Sequence, residues 1–150
     1  MKQIVKSTKP SQAGFSLVEI MAAIAILGIV GGLVAYNVSG SLEKAKVDST
    51  RIALSTLKQA LESYRRDCHH YPNTSQGLSV LVTKPPTCKN WQPGGYLEDG
   101  KIPLDSWDNE FIYYSPGVIS VGAKFEIISY GADGAEGGAD NDADINSNKL

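Results

Sequence analysis

A single glutamate, Glu19, stands inside an otherwise uncharged apolar run that extends from Phe15 to Tyr36. Placing a carboxylate near the centre of a bilayer costs about 2.5–3.5 kcal/mol on insertion scales. A chain keeps such a group only where another group in the membrane offsets that cost. The chemistry that this residue suggests is therefore ion pairing, and the identity of its partner becomes the central question about function.

A second set of acidic side chains lies near the end of the chain, where four aspartates fall within twelve glycine-rich residues: Asp133, Asp140, Asp142 and Asp144. Oxygen ligands in this number, with no histidine or cysteine nearby, favour Ca²⁺ over zinc or copper. The pattern is not that of an EF-hand, because Ile145 stands where the sixth position counted from Asp140 requires glycine. From composition alone, a solvated acidic tail without a bound ion is an equally good interpretation.

Two cysteines and two histidines are the other reactive side chains. A chain outside the cytoplasm is expected to join Cys68 and Cys88 in a disulfide, whereas two free thiols are the alternative. The bridge would close a loop of 21 residues and stabilise the fold by roughly 3 kcal/mol in the chain-entropy model. His69 and His70 are interpreted as a solvated pair in preference to a metal site. No nucleophile elbow, phosphate-binding loop or paired carboxylates near a base occur, so the sequence predicts no catalytic residues and no enzyme.

The first fourteen residues have the composition of a short basic leader, with three lysines and no acidic residue. A secretory signal peptide is cleaved after its apolar region, whereas here the apolar run begins directly after Gly14. Cleavage after Gly14 would therefore leave residues 15–36 on the mature protein. As a helix, these 22 residues would span about 33 Å, enough to cross a bilayer. The preceding lysines favour a cytoplasmic amino end, with residues 37–150 exported.

Helical periodicity continues beyond the apolar run. Apolar residues recur at three- and four-residue spacings from Ala45 to Tyr64, and no proline interrupts residues 15–71. This pattern predicts one helix that reaches about Asp67, with an apolar stripe along its second half. That stripe is the surface on which a small domain would pack.

The remainder of the chain has the pattern of a small antiparallel sheet. Thr74 or Ser75 is predicted to cap a short second helix over residues 76–83, which the proline pair at 85–86 ends. Strands are predicted at residues 110–114, 118–121 and 124–130. The fold class is therefore α+β: a long N-terminal helix, membrane-spanning in its first half, with a small antiparallel β-sheet domain packed on its second half.

Charge is distributed unevenly along the chain. There are 14 basic and 16 acidic residues in total, and without the leader 11 basic residues face 16 acidic ones. The acidic residues concentrate near the end of the chain. Because no basic patch is visible in the body, the pattern predicts no nucleic-acid partner.

The head of the chain resembles the class III signal of type IV pilins and pseudopilins. The resemblance is carried by residues 9–14, Lys-Pro-Ser-Gln-Ala-Gly, followed by residues 15–20, Phe-Ser-Leu-Val-Glu-Ile. In that family a membrane-embedded prepilin peptidase cuts after the glycine and N-methylates the new terminal phenylalanine. The resemblance thus implies cleavage after Gly14, methylation of Phe15, and pairing of Glu19 with the amino terminus of a neighbouring subunit.

Motifs in the body are similar to those of the major pseudopilins of type II secretion, the general secretion pathway protein G family. They are Tyr71-Pro72, Gln76-Gly77-Leu78, Trp91, Gly94-Gly95-Tyr96, Pro103-Leu104-Asp105, Trp107 and Tyr114-Ser115-Pro116-Gly117. Residues 131–134 and 143–145 fit the same family, so the resemblance covers Gly14 to nearly the end. The cysteines and the Trp107-Asp108-Asn109 sequence depart from the family pattern, and these departures concern stability more than the assignment.

The resemblance also implies a calcium-binding C-terminal loop. By position, its ligands are Asp133, Asp140 and Asp144, with the backbone carbonyl of Tyr130. Asp142 or Asn141 is an alternative ligand, because residues between Gly138 and Asp144 align with the family pattern in more than one way. The expected role of Ca²⁺ is to fold this loop and make the subunit competent to assemble.

The function that the resemblance implies is mechanical. The chain would be the main structural subunit of a periplasmic pseudopilus, polymerising from the bacterial inner membrane through its N-terminal helix to drive folded proteins across the outer membrane. Its implied partners are further copies of the chain, minor pseudopilins, the prepilin peptidase and the inner-membrane secretion platform, with a separate ATPase supplying energy. The alternatives are a minor pseudopilin or type IV pilin subunit, or a membrane-tethered periplasmic calcium-binding module that never polymerises. Glu19 argues against the calcium-binding module, because in a monomer this carboxylate would have no neighbouring subunit to pair with.

Overall fold

The computed structural model describes residues 14–150, and for residues 34–39 it describes the backbone only. The predicted leader, apart from Gly14, lies outside the described residues. The chain divides into two compact units, one extending to Gly40 and the other comprising Ser41–Leu150. The structure contains one α-helix, two short 3₁₀ turns and three strands within the described residues.

Helix α1 extends over Leu17–Cys68, 52 residues. At its start, the backbone N–H groups of Glu19 and Ile20 donate to the carbonyl of Ser16. Arg65 and Arg66 lie in the last turn, where cations complement the helix dipole. The helix ends because His69 adopts a left-handed backbone conformation with φ of 65°. The prediction of one long helix ending near Asp67 is confirmed.

The N-terminal unit carries large apolar side chains all around the helix. The exposed ones are Phe15, Leu17, Val18, Ile20, Met21, Ile24, Ile26, Leu27, Ile29, Val30 and Leu33. At 3.6 residues per turn the positions from Leu17 to Leu33 point in every direction, so this described part of the helix has no polar face of the kind a surface helix of a globular protein shows. Among the described residues, no helix combines the length and the hydropathy required of a membrane span.

The core of the C-terminal unit is built on the second half of α1. Leu54, Leu57, Leu61 and Tyr64 follow one another at spacings of three and four residues and are fully buried. They form one cluster with apolar residues of the sheet and the loops, among them Ile127. Burying each leucine stabilises the fold by about 1.5–3 kcal/mol. Leu57, Leu61 and Tyr64 belong to the predicted stripe, so that part of the prediction is confirmed. Ile52, which the prediction also placed on the stripe, is exposed, and Leu54 is buried instead.

The sheet has three antiparallel strands in the order β1-β2-β3. Strand β1 comprises Ile112–Tyr114, β2 Glu126–Ser129 and β3 Ile145–Asn146. Tyr113 pairs with Ile127, and Ser129 pairs with Ile145. The predicted strands at 110–114 and 124–130 are confirmed, although both are shorter than predicted. Strand β3 was not predicted.

The predicted strand at residues 118–121 is wrong, because this segment is a loop between β1 and β2. The N–H groups of Val118, Ile119 and Ser120 donate to the carboxylate of Glu126. Those donors are consequently unavailable for strand pairing. Their acceptor is the buried carboxylate of Glu126, at the start of β2, in place of the backbone carbonyls of a neighbouring strand.

The predicted capped helix over residues 76–83 is also corrected. The segment forms a 3₁₀ turn over Gly77–Leu81, with no side-chain cap at Gln76. The side chain of Asn73 accepts a hydrogen bond from the Gln76 N–H. Thr74, one of the two predicted caps, instead exchanges hydrogen bonds with the backbone of Ser115.

Candidate functional site

The predicted cleavage position lies immediately ahead of α1. Gly14 and Phe15 precede the first helical residue, Leu17, and both are exposed. The Phe15 side chain is 79% exposed. The peptide bond between Gly14 and Phe15 thus lies in exposed, non-helical backbone. Backbone of this kind can bind in the active site of a peptidase.

Glu19 lies in the first turn of α1, where the helix dipole favours an acidic side chain. It is exposed, and within the part of the chain that the structure describes no cationic group pairs with it. Its neighbours along the helix, Val18 and Ile20, are exposed apolar residues. Among the described residues, the carboxylate thus lies on an apolar surface without a cationic partner.

Cys68 and Cys88 form the disulfide that was expected for a chain outside the cytoplasm, with their Cα atoms 5.1 Å apart. The bridge joins the last residue of α1 to a turn in which the Cys88 N–H donates to the Pro85 carbonyl. Tyr96 reinforces the same junction, because its hydroxyl donates to Asp67 across 3.0 Å. The end of the helix is thus held by one covalent bond and one side-chain hydrogen bond.

The predicted calcium ligands lie on or beside the acidic loop, which we define as residues 131–144. Asp133 accepts a hydrogen bond from the Ala135 N–H. Asp140 and Asp142 lie on the exposed 3₁₀ turn Asp140–Asp142. The carboxylate of Asp144 accepts the Gly137 N–H at 3.1 Å to each oxygen. Tyr130 directly follows β2 and is half-buried.

The backbone closes the acidic loop on itself. The Ala132 N–H donates to the carbonyl of Asn141 across 3.0 Å. Gly131 has φ of +68°, and a Cβ there would approach that same carbonyl to 2.8 Å, so both conformation and space require glycine. In residues 14–150, no three histidine, cysteine or acidic side chains gather closely enough to hold a metal ion. The predicted ligands thus lie in one segment of the chain, but their carboxylates do not meet at a common point.

The sequence interpretation missed a residue that organises the base of this loop, Asp105. Its carboxylate accepts hydrogen bonds from the backbone N–H groups of Trp107 and Asn109 and from the hydroxyl of Ser129. The Ser129 hydroxyl in turn accepts the Gly131 N–H. In turns, an aspartate side chain commonly accepts a hydrogen bond from the backbone N–H two residues later. The position of Asp105 at the start of the 105–109 turn was therefore the sequence signal that could have indicated its role.

The same turn is also fixed to α1. The hydroxyl of Thr50, which is fully buried, donates to the Ser106 hydroxyl and accepts the Ser106 N–H. The indole N–H of Trp107 donates to Glu43 across 3.4 Å. The 105–109 turn therefore links the base of the acidic loop to the helix within the C-terminal unit.

Glu126 is a second buried carboxylate that the sequence interpretation missed. It accepts hydrogen bonds from the Ser120 hydroxyl and the Asn146 amide, in addition to the backbone of the loop before it. Burial alone would raise the pKa of Glu126, but these hydrogen bonds outweigh that effect and leave the pKa lowered. The residue therefore stays ionised at neutral pH, and its carboxylate links β2 to β3 and to the loop between β1 and β2.

Two family models match this chain. The model of the type II secretion system protein G matches residues 37–148, and the model of the prokaryotic N-terminal methylation motif matches residues 9–35. Together they span nearly the whole chain, and the second contains both Gly14 and Glu19.

Curated relatives agree with these models. A type II secretion system core protein G of Pseudomonas aeruginosa is 44% identical over 137 residues, which are 89% of this chain and 93% of that protein. The protein of the same name from Vibrio cholerae is 40% identical, covering 89% of this chain and 90% of its own. That of Escherichia coli K12 is 39% identical, covering 86% and 88%.

A solved structure is similar in fold. The crystal structure of the major pseudopilin from the type 2 secretion system of enterohaemorrhagic Escherichia coli superposes with a TM-score of 0.62 and 32% identity. It covers 76% of this chain and 96% of its own chain. This chain belongs to the type II secretion system protein G family.

Proposed function

We propose that this chain, a structural subunit of the type II secretion pseudopilus, polymerises through its N-terminal helix to drive folded proteins across the outer membrane. Its role is mechanical, and the energy comes from a separate ATPase. The observation that carries the proposal is the environment of Glu19. Its carboxylate is unpaired among the described residues, on a segment whose large apolar side chains are exposed.

In the polymer, Glu19 pairs with the amino terminus of a neighbouring copy. Cleavage after Gly14 creates that ammonium group on Phe15, and N-methylation leaves it positively charged. A carboxylate and an ammonium buried together each reduce the desolvation penalty of the other, whereas either one alone in lipid is costly. The pair also fixes the axial register between subunits, because each chain carries one of each group.

The proposed location is the bacterial inner membrane. Residues 15–36 span it with the amino end in the cytoplasm, and residues 37–150 lie in the periplasm, where subunits add to the pseudopilus. The disulfide between Cys68 and Cys88 is consistent with that oxidising compartment. The prepilin peptidase, the inner-membrane platform and minor pseudopilins are the proposed partners besides the chain itself.

We also propose that Ca²⁺ binds the acidic loop, through the carboxylates of Asp133, Asp140 and Asp144 and the carbonyl of Tyr130. Asp142 is the alternative carboxylate. The donors are oxygens only, so their chemistry suits a hard cation. The backbone hydrogen bond from Ala132 to Asn141 closes the segment that carries Asp133 and Asp140, and Asp142 and Asp144 follow that segment directly. The ion would neutralise mutual repulsion and order the loop.

The assembly proposal is tested by electron microscopy of cells that overproduce the full chain and the secretion system. Wild-type chain should give surface fibres, and Glu19→Ala should give at least tenfold fewer at equal membrane levels. Ser16→Ala, which changes a polar residue in the same stretch, is the matched control and should assemble normally. Equal fibres from Glu19→Ala would contradict the ion-pair mechanism, and no fibres from wild type would favour a membrane-tethered module.

A further inference from the structure

The loop between β1 and β2 carries an apolar patch. We call residues 117–123 the hairpin tip. Within it Val118 is 67% exposed, Ile119 46% and Val121 98%. Single exposed apolar residues are ordinary on protein surfaces, but three within four residues concentrate apolar surface on one loop, a feature that points to an interaction surface.

The backbone of the hairpin tip is held in place. Glu126 accepts N–H donors from three consecutive residues, Val118, Ile119 and Ser120, at 2.9–3.1 Å. The Gly117 N–H donates to the carbonyl of Ala123 across 3.1 Å and closes the tip. Because the tip is ordered before any partner arrives, little conformational entropy remains to be lost on binding.

An apolar groove lies along β1, one of the two edge strands of the sheet. Its volume is about 340 Å³. We call it the β1 groove, and its apolar lining includes Leu78, Ile102, Pro103, Leu104 and Phe111. Leu104 is 47% exposed, so the groove opens to the surface. The C-terminal unit therefore carries both an apolar recess and an exposed apolar loop, the hairpin tip.

The charges beside the two surfaces are opposite. Lys124 directly follows the hairpin tip and is exposed, while Glu110 lines the β1 groove and is also exposed. Neither residue forms a salt bridge within residues 14–150. The charge of Lys124 does reach Glu62 of α1, where it contributes to a lowered pKa of that carboxyl. A tip with a flanking cation and a groove with a flanking anion are complementary in charge.

We propose that the hairpin tip of one copy of this chain seats in the β1 groove of the next copy, with Lys124 paired to Glu110. The inference rests on the proposed function, because only a polymer places identical copies side by side. Two different patches of one chain that bind each other form a heterologous contact, and such contacts propagate into filaments. The contact would join the periplasmic units, independently of the ion pair proposed for Glu19.

Cysteine crosslinking tests the contact. Two full-length chains with different tags are produced together with the secretion system, one carrying Val121→Cys and the other Leu104→Cys. The native cysteines are bridged to each other, so the introduced thiols are the reactive ones. After mild oxidation, a disulfide between the two tagged chains is expected. Val121→Cys with Gln92→Cys, an exposed position that does not line the groove, is the control and should give at least fivefold less product.

Charge reversal provides a second readout. Lys124→Glu or Glu110→Lys alone should lower the crosslink yield about fivefold, the size expected when one exposed ion pair is lost. The two substitutions together should restore the yield.

Fibres from wild type without the crosslink, or with the control crosslink equally strong, would overturn this proposal and leave the proposed polymer intact. Crosslinks to a different protein only would overturn it too. No fibres from wild type would remove the proposed function and this inference together.

Discussion

The side-chain amide of Asn109 donates a hydrogen bond to the backbone carbonyl of Gly131 across 3.0 Å. This bond joins the 105–109 turn to the first residue of the acidic loop. The N–H of Asn109 is held in turn by Asp105, whose other oxygen accepts the Ser129 hydroxyl. The base of the loop is thus positioned by residues that are not themselves proposed as ion ligands.

Replacing Asn109 should loosen the acidic loop without unfolding the domain. Asn109→Ala removes one donor to a backbone carbonyl and should lower the free energy of unfolding by about 1 kcal/mol. Amide hydrogen exchange should accelerate at Gly131 and Ala132 more than in α1. Asn90→Ala, at an exposed position, is the control, and unchanged exchange in Asn109→Ala would show that the bond does not hold the loop.

Ca²⁺ should bind and stabilise the C-terminal unit. Isothermal titration of Ser41–Leu150, which is compact by itself, should show heat of binding and a rise in melting temperature. At a free ion concentration one hundred times Kd, the gain is about 2.7 kcal/mol. Asp133→Ala should lose most of both effects, whereas Asp99→Ala, outside the loop, should keep them. Equal heats and melting temperatures for the three proteins would exclude the proposed site.

The sequence predicted the elements that depend on local periodicity. The spacing of Leu57, Leu61 and Tyr64 is a helical signal that does not depend on other parts of the chain, and the helix forms as predicted. The β-branched and aromatic run at 124–130 likewise forms β2. In both cases the apolar pattern and the burial agree, so local and tertiary preferences favour the same structure.

The elements that depend on distant side chains were not predictable in the same way. Residues 118–121 have strand-forming composition, yet Glu126 takes their N–H donors. Strand β3 has only two residues and forms because Ser129 pairs with Ile145. For the acidic loop, the sequence indicated the ligand types. It did not reveal that Asp105 and Asn109 organise the base, because those contacts join residues more than twenty positions apart.

Glu126 should make stability depend on pH. Its folded-state pKa is lowered by hydrogen bonds that outweigh the effect of burial. Its contribution is therefore present above the ordinary pKa of glutamate and is lost as pH falls towards the folded value. Glu126→Gln keeps the shape but weakens the acceptor for three backbone N–H groups, and should cost about 1–3 kcal/mol at pH 7.

Urea unfolding of wild type and Glu126→Gln at pH 7 and pH 3 measures this effect. The difference between the two proteins should shrink at the lower pH, because pH 3 lies below the ordinary pKa of glutamate, where the Glu126 carboxyl of the unfolded wild type binds a proton. Glu98→Gln, at an exposed position, is the control and should not alter the pH dependence. A difference between wild type and Glu126→Gln that is the same at both pH values would contradict the assigned role of the ionised carboxylate.

Removing the disulfide should weaken the junction at the end of α1 without abolishing the fold. The double substitution Cys68→Ala with Cys88→Ala frees a loop of about 20 residues, which lowers stability by about 3 kcal/mol in the chain-entropy model. The fold should persist because Tyr96 still donates to Asp67, and the Trp91 indole still donates to the Val80 carbonyl. Urea unfolding should remain one cooperative transition with a lower midpoint. Alkylation of unreduced, denatured wild type should label no thiol, and two labelled cysteines would show that the bridge does not form in the cell.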